Sequence, residues 1–193
     1  AVFHFVRQQT GWVAVYRARA KETSRVGRAL DDAAIYASAL YPLAWWHAHP
    51  SRAFEWFVEG DFVSIERLRS FLPALGVVYG AILAAYAARA IAESLAGRPN
   101  AGKHLVVGVT AITWFTGIVA TNSDFQFTSA NVIVHGVPYV ALLFFYAKAR
   151  GRERPNGAVA AILRGGFAAF YAVVLGLAFV EEGRARMKLV LSD

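Results

Sequence analysis

The sequence predicts an all-α polytopic membrane protein, a transmembrane bundle of five or six helices with one amphipathic interfacial segment. Three observations predict it. Several apolar runs approach the length needed to cross hydrocarbon. Gly, Ala and Ser recur inside those runs, which lets helix backbones approach closely. Basic and non-basic connections alternate strictly between them. The whole chain, 1–193, reads as a single integral-membrane helical domain.

Composition agrees. The chain has 193 residues, 57% hydrophobic and 17% charged, with a net charge of +7 and no cysteine. A soluble domain carries about a quarter charged residues. These values exclude a disordered chain, a disulfide-stapled secreted domain and a cysteine zinc module. The basic residues cluster between apolar runs and not along one face, which favours a membrane setting over nucleic acid. The chain lacks an initiating Met and a signal-peptide pattern, so the numbering is expected to begin inside a longer protein.

The first element, Val2–Tyr16, mixes apolar residues with His4, Arg7, Gln8 and Gln9. It reads either as a sixth span facing a polar interior or as an interfacial helix. Ala33–His47 is the next apolar run, preceded by Asp31 and Asp32, which suit a helix start. Pro50–Ser70 interleaves Phe54, Trp56, Phe57 and Phe62 with charges, and with Trp45 and Trp46 reads as a surface anchor and aromatic belt. Leu72–Ala92, Leu105–Ala120, Asn131–Ala147 and Ala158–Val180 are the clearest spans. Strands are excluded because the runs are apolar on every side.

Orientation follows from the connections. Arg17, Arg19, Lys21, Arg25 and Arg28 form one basic group, Arg89, Arg98 and Lys103 a second, and Lys148, Arg150, Arg152 and Arg154 a third. The positive-inside rule places these in the cytoplasm of a bacterial inner-membrane protein. The His47/His49 end and Asp124 then face outward. Arg184, Arg186 and Lys188 dissent mildly, beside Glu181 and Glu182 on the outward side.

The most informative stretch is Thr121–Leu143. Asp124, Thr128, Asn131 and His135 fall at i, i+4, i+7 and i+11, one stripe of a continuous helix, and Tyr139 extends it. Thr128 or Ser129 is an alternative helix cap, which would leave Asp124 in the preceding turn. Pro138 permits a kink. Ionisable groups are costly in hydrocarbon, so the stripe should face protein or water. If Val2–Tyr16 spans, His4 lies on the same outward side. His4, His135 and Asp124 are therefore the candidate metal ligands, with Asn131 and Tyr139 orienting ligands or substrate. The metal would be iron, copper, zinc or manganese. Gln8, one turn from His4, is a candidate hydrogen-bond support, whereas Arg7 opposes a cation. His104 reads as an interface residue, and Thr110, Trp114, Gly117 and Thr121 as a packing seam.

No nucleotide loop, nucleophile elbow or cysteine-based redox motif is present. Three functions fit. The first is a metal-dependent oxidoreductase acting on a lipid-soluble substrate. The second is a non-catalytic subunit or assembly factor of a membrane complex, with partner membrane subunits. The third is a small transporter or proton path. All three imply contact with membrane lipids and none with nucleic acid.

Overall fold

The structure is a computed structural model. It describes residues 2–49, 63–121, 123–153, 155 and 157–190, the side chains of Val2 and of 181–190 excepted. The aromatic part of the expected surface anchor, up to Phe62, lies outside the described residues, as do the side chains of Arg184, Arg186 and Lys188. Among the described residues the elements are all helical. Among the described residues three helical runs are long and apolar enough to cross a membrane: Leu72–Leu95, Ala101–Ala120 and Asp124–Glu153. That is fewer than the five or six expected. One of the remaining runs carries charge inside its helix, and another is broken. The Ala33–His47 run belongs to a longer helix that begins at Arg25 and contains Arg28, Asp31 and Asp32. The Ala158–Val180 run is broken at Gly165–Gly166, where Gly166 takes φ +76°.

The chain divides into two compact units, Ala1–His135 and Gly136–Asp193. The first holds α1 (Val2–Arg19), α2 (Arg25–Ala48), α3 (Leu72–Leu95), α4 (Ala101–Trp114) and α5 (Asp124–Asn131). α2 packs on α3 and α4, and α1 packs on α4 and α2. α1 is therefore packed against the bundle. It buries Val6, Gln9, Val13 and Arg17, the i, i+3, i+7, i+11 stripe of one helical face. α3 fully buries only Leu72 and Tyr86; Ile82, Leu83 and Ala90 pack partly on the core, and much of the rest of its apolar surface is exposed.

Helix ends follow local chemistry. The hydroxyl of Ser24 accepts from the Gly27 amide at 3.0 Å, and Asn100 and Ser123 cap α4 and α5 in the same way. α1 ends in a Schellman turn. The Lys21 amide donates to Ala18 O at 3.1 Å and the Glu22 amide to Arg17 O at 3.0 Å. Lys21 sits at φ +54°, a conformation that glycine adopts more cheaply. The turn aims Glu22 back toward the bundle.

Two π-helical turns interrupt the regular helices, at Phe115–Ala120 and Val132–Gly136. The second has a direct cause. Pro138 has no amide hydrogen, and its ring would collide with the carbonyl of Val134, so the wider turn absorbs the misfit. In the second unit, α6 (Val137–Glu153), α7 (Ala158–Arg164) and α8 (Gly166–Val190) pack on one another. Phe144 meets Phe167 and Phe170 at 5.2 and 5.5 Å between ring centroids.

The α1–α4 crossing depends on one glycine. A Cβ on Gly102 would collide with the Tyr16 ring. Gly102→Leu is expected to destabilise by about 1–3 kcal/mol or more through overpacking. Gly108→Leu, where a Cβ meets nothing within 4 Å, should stay within about 0.5 kcal/mol. Thermal unfolding in detergent compares the two.

Candidate functional site

The sequence places its candidate ligands on α1 and on the α5 run, and the structure brings two of them together. The His4 and His135 rings lie edge to face with centroids 5.4 Å apart. Phe5 packs on the same His135 ring at 4.1 Å. Gln8 Nε2 donates to the His135 carbonyl at 3.1 Å. Gln8 thus holds the backbone of the π turn that carries His135, and not the His4 ring. Two imidazoles sharing one tetrahedral ion have centroids about 5 Å apart, given metal–nitrogen bonds of about 2.0–2.1 Å. The observed centroid separation is close to that value.

Asp124 does not join them. Eleven residues of helix separate it from His135, about 16 Å at the ordinary rise. Among the described residues no group of three His, Cys, Asp or Glu side chains could hold an ion. Asp124 is instead fully buried at the first turn of α5, capped by Ser123, so the helix starts before it and not at Thr128. Phe127 and Asn131 are buried on the same face, so this part of the stripe points inward as expected. The π turn then widens the repeat and shifts His135 off the four-residue register. Tyr139 is partly exposed in the second unit. His47 and His49 bind backbone, through Nδ1 to Val63 O at 2.6 Å and to Trp45 O at 2.8 Å. His49 also stacks on Trp45.

Sequence reasoning missed the largest polar feature, an ionic network at the opposite end of the first unit. Asp31 is fully buried. Its carboxylate accepts from Arg17 at 3.3 Å and from Arg89 at 3.0 Å, and Lys103 Nζ lies 3.7 Å away. Lys103 is also fully buried and donates to Glu22 at 2.7 Å and to Glu93 at 3.5 Å. Arg89 Nε donates to Glu93 at 2.8 Å, and its Nη1 to Gly27 O at 2.7 Å. A Cβ on Gly27 would lie 2.8 Å from that guanidinium, which would have to shift. Asn100 Nδ2 completes the set by donating to Glu22 at 2.6 Å. Tyr86 and His104 share a hydrogen bond of 2.9 Å beside it.

Three cations, Arg17, Arg89 and Lys103, meet three carboxylates, Glu22, Asp31 and Glu93. The network is balanced, and it ties α1, α2, α3 and α4 at one end. Burial pushes the Glu22 carboxyl up. Hydrogen bonds from Lys103 and Asn100, with the Lys103 and Arg89 charges, outweigh that and hold it below the ordinary carboxylate range. His104, expected at the interface, is part of this assembly, with Nε2 4.0 Å from Glu93.

The signal for the network was in the sequence. Asp31 shares a helical face with Ile35, Ser38 and Pro42, and Lys103 with Val107, Thr110 and Trp114. A charge on an apolar stripe is a buried charge. The seam at Thr110, Trp114 and Gly117 is buried as well.

Fold and site together define an all-α protein with candidate membrane-crossing helices, a paired imidazole and a buried ionic network. No protein-family model matches the chain, and no curated protein and no solved structure matches it.

Proposed function

We propose that the chain is an integral membrane protein of the bacterial inner-membrane type with its basic connections cytoplasmic. In this reading His4 and His135 are the imidazole pair of a transition-metal site, iron, copper, zinc or manganese, in an oxidoreductase acting on a lipid-soluble substrate. The observation that carries the reading is the contact between two imidazoles 131 positions apart in the chain, with the His135 backbone held by Gln8. Histidines are scarce in this sequence, and two of five meet at a π turn, a helix distortion that recurs at functional sites.

A catalytic ion commonly takes three protein ligands. Among the described residues Asp124 lies too far along α5 to be the third. Asn131, buried one turn before His135, keeps its proposed role of orienting a ligand or substrate. Once bound, the metal would supply redox or Lewis-acid chemistry. The test is elemental analysis of protein purified without chelator. About one equivalent of a single transition metal is expected, lost in His4→Ala and in His135→Ala with the helical fold retained. Equal metal in the wild type and both variants would end the reading.

A second reading, a subunit of a membrane complex, rests on a different observation. α1 exposes Arg7, Gly11, Ala14 and Ala18 along one face, beside a groove of about 460 Å³ that also reaches Arg28 and Asp32. Hydrocarbon does not accommodate such an arginine, and small residues admit a close partner helix. The proton-path reading has less support. Ser38 and Thr110 both donate to their own helices, at 2.7 Å each. Buried Ile35, Ala39, Val107 and Ile118 occupy the helix positions between the network and the Asp124 end.

A further inference from the structure

The second unit contains a concavity of about 370 Å³ whose charged lining is entirely cationic. Lys148 and Arg152 stand one turn apart on α6, and Arg164 reaches it from the end of α7. Among the described residues no carboxylate lines it. Glu153 of α6 is paired with Arg150 at 3.3 Å and is not part of the lining. Glu181 and Glu182 lie at least 15 residues beyond the start of α8, about 22 Å along the helix. Among the described residues none of the three cations has an ion-pair partner.

The convergence is built into the backbone. A Cβ on Gly151 would stand 3.1 Å from Leu163 and 3.6 Å from the Ala160 Cα, so glycine at this position lets α7 lie close against α6. That approach draws three like charges around one hollow. Like charges held together without an anion repel, which favours a bound anion.

The floor of the hollow identifies the anion. Phe144 lines it one turn deeper along α6 than Lys148, and Leu163 lies on the opposite wall. Phe144 continues into the Phe167 and Phe170 cluster. α6 is the end of the candidate span Asp124–Glu153, so the cations stand where that span leaves hydrocarbon. Cations over an apolar floor at that level match a phosphate with acyl chains attached and not a free ion.

We propose that this pocket binds the phosphate of an anionic phospholipid, held by Lys148, Arg152 and Arg164, with its first acyl carbons against Phe144 and Leu163. The site is independent of any metal at His4 and His135.

The test uses the full chain in nanodiscs and in detergent. Native mass spectrometry measures binding of phosphatidylglycerol, with phosphatidylcholine and inorganic phosphate as probes. Phosphatidylglycerol should bind selectively. The triple variant Lys148→Gln, Arg152→Gln, Arg164→Gln should weaken it on the order of a hundredfold, at about fivefold for each cation. Arg150→Gln, on the same helix outside the pocket, should leave binding unchanged. Equal binding of phosphatidylcholine would overturn the proposal, as would an Arg150→Gln loss equal to one third of the triple effect on the logarithmic scale. Competition by millimolar inorganic phosphate as effective as by the lipid would overturn the lipid assignment.

Discussion

Asp31→Ala is expected to destabilise the first unit by about 3–5 kcal/mol, the cost of removing one partner from a buried ion pair. The carboxylate is fully buried, and Arg17 and Arg89 bind its two oxygens directly. With it gone, Arg17 and Lys103 stay buried beside two carboxylates that already serve Arg89. In thermal unfolding the shift should be roughly 6–20 °C for a chain of this size. Asp32→Ala supplies the control. Asp32 is only half-buried and has no ion pair among the described residues, so its replacement should stay within about 0.5 kcal/mol. Equal effects of the two variants would show that Asp31 acts as a helix-start residue and nothing more.

Lys103→Met is expected to cost a similar amount, about 3–5 kcal/mol, for the complementary reason. It fills the same volume but leaves Glu22, Asp31 and Glu93 sharing two guanidiniums. The combination Asp31→Asn with Lys103→Met removes one charge of each sign. It should be less damaging than the sum of the single changes by about 1–3 kcal/mol, the coupling expected of groups in one network. Strict additivity would mean that Lys103 and Asp31 do not share a network.

The helical character was legible because run length alone excludes strands. The span count was not, because an apolar run does not reveal the charges at the ends of the helix that contains it. Ala33–His47 is apolar enough for a span, but its helix begins at Arg25 and carries Arg28 as well as Asp31 and Asp32. Arg17, Arg89 and Lys103 were counted as loop charges, yet all three turn inward to meet carboxylates. Their helical phase was readable: Arg17 follows Val6 and Val13, and Lys103 precedes Val107. Reading connections for charge hid it. The meeting of His4 with His135 required knowing that α1 enters the bundle, and the buried face of Val6, Gln9 and Val13 encodes that. Asp124 failed as a ligand for a simpler reason. Three turns of one helix put residues on one face but not in one place.

The most direct test of the account is whether one ion can bridge the two imidazoles. Purified protein, stripped of metal and titrated with copper(II), is read by electron paramagnetic resonance. The account predicts one tight copper per chain with nitrogen coupling from two imidazoles, lost in His4→Ala and in His135→Ala. A wild-type spectrum identical to that of the double variant His4→Ala, His135→Ala would contradict it.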